Sequence, residues 1–416
     1  MKKKKQSKRQ TRTPQAALSA RLAAAVELQK AGASEASSTG SSSLPPSFFL
    51  QKAESFLTAF PPDFALALKF LKRGVSVHPS DVSLLVRTAE MLSEEGQLEE
   101  AKQLLQRAIE VEPDRNPEKF FYLAQIEEGR ESLELFRRAA TLLEASLQSL
   151  NASIADAEVR DKQAGHSGQG ATAAALRLLK EERRRVARQL VDAKCGMGEL
   201  FMTDLCDAEE AEDACMAQVE GALALAEAQG AGLPDALHLQ ASFLKTTGDI
   251  DGARAAALRA AHLIHAQLQR REELLRLLPS SSPASSEEEE DVSCRELRVN
   301  LARVLIDVQE ADAAVLLVSS CIEEDDQDAD SWLVLACGLY KAKKFAAARD
   351  SLEHLQQLLA STGLAAERDH PVCVHTRELL RLVKEEEKKE PRVEDSDDDD
   401  EWEDEEEAQD VEMNDT

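Results

Sequence analysis

Apolar and small residues recur at helical spacing through most of this chain, and the clearest stretch is Val82 to Pro113. With Val82 as position one, Leu85, Ala89 and Leu92 fall at positions 4, 8 and 11. Gly96 falls at 15, and Ala101, Leu105 and Ala108 at 20, 24 and 27. The i, i+3, i+4, i+7 recurrence predicts two amphipathic helices. Small residues at Ala89, Ala101 and Ala108 let the pair approach closely, and the leucines fill the groove between them. Gly96 permits a tight turn, and Pro113 stops the second helix.

The same marks return one period away. Ala67, Leu71, Gly74 and Pro79 each precede their counterparts by 34 residues, and Phe48 to Phe60 supplies the first helix of that unit. Leu237, Ala241, Leu244, Gly248, Ala253 and Ala260 repeat the pattern, as do Trp332, Leu335, Ala336, Ala348 and Leu352. Looser units run from Phe120 through Leu123 and Ala124 to Ala139, and from Leu301 through Leu305 to Ala314. This period and residue pattern are those of the tetratricopeptide repeat. One helical hairpin cannot bury its apolar faces alone, so several units predict an all-α tetratricopeptide-repeat superhelical solenoid. The repeat is interrupted at 131–206, where two long helical stretches flank the Gly-rich segment AGHSGQG, and a protruding helical hairpin is expected there.

Low-complexity segments divide the chain. Residues 1–46 read as a basic disordered tail, 47–278 as a repeat array containing the hairpin, and 279–291 as an acidic Ser/Pro linker. Residues 292–384 read as C-terminal repeat units and 385–416 as an acidic disordered tail. Charge sharpens this division. The whole chain carries −28, and the last segment alone holds 19 acidic and 3 basic residues. Such a block repels itself and buries too little apolar surface to fold. The acid excess disfavours direct nucleic-acid binding and suits a basic protein partner. Aromatic residues make up only 4%, so the core is aliphatic, as helix packing allows. No apolar run is long enough for a membrane helix. The basic start lacks the apolar stretch of a secretory signal, and seven scattered cysteines fit reduced intracellular thiols.

Candidate chemistry is sparse. Gly165-His166-Ser167-Gly168 is followed by Gln169 and lacks the last glycine of a nucleophile elbow. No dinucleotide or P-loop motif occurs. His370, Cys373 and His375 lack a second pair of ligands for zinc. The sequence therefore predicts no enzyme, no cofactor and no metal.

A binding surface is the better expectation. In stacked repeats, positions 2, 5, 9 and 12 of each first helix face the groove. These give Phe49, Lys52 and Phe56 in the first unit, and Val86 and Glu90, with Glu94 beside them, in the second. The third gives Glu118, Phe121 and Glu128, and a later unit Asp235 and His238. The last two give Glu296, Val299 and Arg303, then Asp330, Leu333 and Tyr340. Acids with apolar patches suit an extended basic segment. The Lys and Asn set of a chaperone carboxylate clamp is missing: Val86 and Glu90 stand in its place.

The segment Gly198 to Asp207, GELFMTDLCD, followed by AEEAEDAC, resembles a signature of the tetratricopeptide assembly chaperones dedicated to large-subunit ribosomal protein four. The DDDDEW run from Asp397 to Trp402 is similar to that family's tail. The resemblance implies a non-enzymatic protein that shields the basic ribosomal protein in its groove and escorts it to the nuclear large-subunit precursor, with cytoplasm and nucleus as its compartments; an array ending in a polar helix is expected to be a monomer. Lys2, Lys3, Lys4, Lys5, Lys8, Arg9 and Arg12 then read as an import signal for a nuclear import receptor. A repeat scaffold of a larger complex and an acidic histone-type chaperone are the other readings the residues allow.

Overall fold

The computed structural model describes residues 44–164, 169–277, 293–364 and 370–389. The import-signal candidates, residues 165–168 of the Gly-rich segment, the 279–291 linker and residues 390–416 of the acidic tail lie outside them. The chain divides into two compact units, with the division after Ser146.

The first unit holds α1 (Pro46–Leu57), α2 (Phe64–Val77), α3 (Val82–Glu94), α4 (Leu98–Val111), α5 (Glu118–Ile126) and the start of α6 (Gly129–Ala164). From α1 to α5 each helix packs on the next in sequence, and α3 also packs on both α1 and α5. Asp63 and Asp81 cap α2 and α3 by accepting from the amides of Leu66 and Leu84, at 3.0 and 2.9 Å. A cap of this kind is worth about 1 kcal/mol. Ala67, Leu71, Leu85, Ala89, Leu92, Ala101, Leu105 and Ala108 are fully buried together. Each such leucine contributes roughly 2 kcal/mol by leaving water. A Cβ on Gly74 would lie 2.9 Å from Leu84 and Phe49, so only glycine fits that crossing.

The second unit holds the rest of α6, α7 (Gln169–Met202), α8 (Ala211–Gln229), α9 (Leu233–Thr247) and α10 (Ile250–Leu277). It continues with α11 (Arg295–Asp307), α12 (Ala311–Glu324), α13 (Ala329–Lys341), α14 (Phe345–Ser361) and α15 (Pro371–Glu387). Pairs α9–α10, α11–α12 and α13–α14 are helical hairpins like α1–α2 and α3–α4. Lys180 of α7 reaches Glu158 of α6 at 2.8 Å.

One turn recurs between paired helices. Gly96, Gln309 and Lys343 all have positive φ, and in each case the next residue's amide bonds back to the helix, at Leu92, Leu305 and Leu339. Glycine adopts this geometry freely; Gln309 and Lys343 hold it at a cost of about 1 kcal/mol. The helical spacing of the hairpin, not the glycine, therefore fixes the turn.

Two features depart from the sequence reading. Helix α15 runs through Glu385, Glu386 and Glu387, three residues into the segment assigned to the acidic tail. Arg381 pairs with Glu385, Lys389 with Glu386 and Arg349 of α14 with Glu387, at 2.7, 2.6 and 2.9 Å. Those cations offset the repulsion that charge counting alone implied. The core also admits two cations. Lys119 is buried and its ammonium donates to the carbonyls of Glu112 and Arg115, which closes the end of α4. Arg298 is 2% exposed. It binds Glu324 and, at 3.0 Å, the Ser320 hydroxyl.

Candidate interaction surface

In the first unit, α1, α3 and α5 line a cleft of about 410 Å³. Leu50, Gln51 and Glu54 come from α1, and Ser83, Val86, Arg87 and Glu90 from α3. Asn116, Glu118 and Tyr122 complete it. Arg87 is the hub: its guanidinium donates to Glu90 Oε2 at 2.5 Å and to Glu54 Oε2 at 3.3 Å. The Tyr122 hydroxyl donates to the other oxygen, Glu90 Oε1, at 2.8 Å. Burial and that bond hold the phenol protonated well above its ordinary range.

Val86, Glu90 and Glu118 thus line the cleft as the register expected. Phe49, Lys52 and Phe56 do not. Phe49 is 2% exposed, between Phe48 and His78. Phe56 stacks on Phe70 at 5.3 Å, and Lys52 is half-buried outside the cleft lining. The physical reason is a longer connection. The second helices keep the 34-residue step from Ala67 and Leu71 to Ala101 and Leu105, whereas Phe49 and Ala53 lie 36 before their core equivalents Leu85 and Ala89. The Phe60-Pro61-Pro62 loop absorbs the extra residues and rotates α1 by two positions. Phe121 is also withdrawn: it packs edge-on against Phe136 at 5.9 Å. Its neighbour Tyr122 faces the cleft instead, in the place that Gln51 and Arg87 take on their helices. That sixth position was missed, and only the observed geometry exposes it. Glu94 and Glu128 are exposed beyond the cleft lining.

In the second unit, charged side chains gather around Asp235. Helix α7 contributes Arg188, Asp192, Cys195 and Glu199, spaced to lie on one helical face. Helix α9 contributes Asp235 and His238, and Cys294 precedes α11. Arg188 approaches Asp235 at 3.6 Å. Asp192 and Glu199 are exposed at the surface, yet enough protein lies around their carboxyls to desolvate them. Desolvation, with Asp235 adding and Arg188 opposing, pushes the Asp192 carboxyl up to about 7. Burial and Asp235 also raise Glu199. Burial, with Lys245 adding, pulls His238 down to about 4, so its imidazole is neutral near pH 7. The α7 stripe was not among the expected groove residues, because α7 lies in the interruption and carries no repeat register; its 188, 192, 195, 199 spacing was the available signal.

Further along, Arg303 binds Asp330 at 2.6 Å and Asn300 at 2.7 Å, so two expected groove residues neutralise one another. Glu296 is exposed. Val299 and Leu333 are buried to about the same degree as Val86, at 4%, 9% and 5% exposed, so all three contribute mainly to the core. Tyr340 packs on Phe345 at 5.8 Å. Phe121 and Tyr340 share one cause: an aromatic residue at a groove position turns toward the adjoining helix where that helix offers it an aromatic partner.

Among the described residues, no group of three or more His, Cys, Asp or Glu side chains is arranged to hold a metal ion. No described helix is long and apolar enough to cross a membrane.

The sequence model of the tetratricopeptide repeat matches residues 82–115, the span of α3, its turn and α4. That helical hairpin is a tetratricopeptide repeat, and the chain has the all-α repeat fold. Its repeats are similar to a Schizosaccharomyces pombe protein described as a probable assembly chaperone of rpl4, 26% identical over 244 residues. That match covers 58% of this chain and 56% of the relative, so the two correspond over little more than half of either length. A solved assembly chaperone of RpL4 is 25% identical, with 72% of this chain and 98% of that one covered and a TM-score of 0.49. Yeast Tom70 is 14% identical, with 84% and 66% covered and a TM-score of 0.37.

Proposed function

We propose that this repeat protein is a non-enzymatic chaperone of large-subunit ribosomal protein four. It holds a basic segment of that client against its acidic inner faces and escorts it from cytoplasm to the nuclear large-subunit precursor. The observation that carries the reading is the 244-residue similarity to a protein described as an assembly chaperone of rpl4. The chemistry agrees: Glu54 and Glu90 share a single arginine, Arg87, in one unit, and in the other Asp192 and Glu199 gather around the pair of Asp235 with Arg188. Extended Lys and Arg segments bind RNA nonspecifically through phosphate attraction, and an acidic surface suppresses that contact until ribosomal RNA competes. The basic Lys2–Arg12 segment recruits an import receptor in this scheme.

The direct test is affinity capture of the full chain from cells, with mass spectrometry of what is bound. One stoichiometric ribosomal protein supports the reading; histones, or several subunits of one stable assembly, would replace it.

Asp192 gives the client contact a pH signature. Its raised value means that the carboxyl is largely protonated below about 7. A bound cation favours the ionised form, so the proton leaves as the client arrives and affinity rises with pH. From about pH 6 to about pH 8, client affinity is expected to rise roughly threefold to tenfold, the scale of one partly exposed ion pair. Titrations at the two values check this, and Asp192→Asn should flatten the dependence.

A further inference from the structure

We propose that the cleft of the first unit takes a lysine or arginine side chain of an extended polypeptide, and that Arg87 is the internal occupant which that side chain displaces. The proposal deepens the chaperone reading and rests on it only for the source of the polypeptide.

The argument starts from what Arg87 touches. Its two ion-pair partners, Glu54 and Glu90, are both cleft-lining carboxylates, on α1 and on its own helix. Neither contact ties Arg87 into the apolar core. The arginine is about one-third exposed, so its long side chain has an open route to water. Glu90 is different. It is only 22% exposed, and Tyr122 fixes its second oxygen. It cannot turn away when Arg87 leaves. Withdrawal of Arg87 would therefore uncover a fixed carboxylate at the cleft floor and a mobile one, Glu54, at the rim.

Only a cation can take that place cheaply. A neutral side chain that pushed Arg87 aside would leave a largely covered carboxylate without a counter-charge, which is strongly unfavourable. A cationic side chain restores both contacts, so the exchange of one cation for another is close to balanced. The walls suit such a guest: Leu50, Val86 and the Tyr122 ring offer apolar surface for a methylene stem while its head meets the acids. Arg87 thus sets selectivity by making neutral guests costly, and it holds affinity down because every guest must compete with it. Weak, cation-selective binding is what a carrier needs when it must later surrender its load.

The test uses the full chain and a short synthetic peptide of alternating glycine and arginine, with a second peptide carrying citrulline, the neutral isostere, for arginine. Affinities are read by titration calorimetry at low salt. Arg87→Gln is expected to tighten the arginine peptide about threefold to tenfold, the worth of the exposed pairs it gives up. Arg87→Lys, which keeps the placeholder charge, should stay near the parent value. Glu90→Gln should weaken the arginine peptide, and Glu54→Gln on the exposed rim supplies the same readout if Glu90→Gln alters the melting temperature. If Arg87→Gln leaves the arginine peptide unchanged or weaker, or tightens the citrulline peptide equally, the proposal is wrong. A parent chain that does not capture ribosomal protein four overturns the chaperone reading and leaves these results standing. A chain that captures it, with no tightening in Arg87→Gln, overturns the cleft proposal alone.

Discussion

Arg298→Ala is expected to destabilise the second unit by about 3 kcal/mol, the lower end of the cost of breaking a buried ion pair. Arg298 sits on the core face of α11 beside Leu297, Leu301 and Ala302, all buried. Its guanidinium bridges to Glu324 and Ser320 on α12. Truncation removes the stem from the packing and strands Glu324 at a mostly covered site. Glu324 is one-third exposed and keeps Arg271 at 3.1 Å, which is why the loss stays at the low end. Arg298→Met retains the stem's volume and should recover about half, since packing and charge contribute comparable shares at such sites. Urea unfolding of the full chain, followed by circular dichroism, reads both values. An alanine variant within about 0.5 kcal/mol of the parent, the range of ordinary surface changes, would show that the pair does not hold α11 to α12.

The second large effect concerns the client. Reversing Glu90, Glu94 and Asp330 to lysine is expected to weaken ribosomal protein binding about 100-fold, from roughly 1 kcal/mol per reversed charge. None of the three belongs to the buried core, so the helical signal should persist. The internal pairs shape the result. At position 90 a lysine would face Arg87, and at position 330 it would face Arg303, so each reversal replaces an attraction with a repulsion. Raising salt should shrink the difference between parent and variant, because contacts near the surface are screened within about 8 Å at physiological ionic strength. Equal affinities would remove the inner faces from the function altogether.

The helix pairs were legible because their signals are local. Ala101, Leu105 and Ala108 mark the buried stripe of α4, and the same residues fill the core. Counting in steps of 34 worked for α2 and α4 because nothing is inserted between those second helices beyond the repeat itself. It failed for α1, where Pro61 and Pro62 lengthen the loop and shift Phe49 from an expected contact residue to a buried one. Lys119 and Arg298 escaped for a different reason. A charged residue at a core position is read as exposed until its partner is known, and those partners are backbone carbonyls in one case and another helix in the other. Electrostatic roles were the least legible. Glu90 and Asp330 read as open acids from sequence, while in the fold each already holds an arginine.

The thiols carry a practical corollary. Burial pushes Cys195, Cys215, Cys321 and Cys337 above the ordinary thiol range, so alkylating reagents will meet them slowly. Cys206 and Cys294 are exposed; burial raises the Cys294 thiol too, but its exposure leaves it open to reagents, and it stands in the electrostatic neighbourhood of Asp235 and Arg188. With Cys206 changed to serine, a maleimide fluorophore can be attached at that native sulfur, giving an optical reporter at the acidic surface without an engineered cysteine.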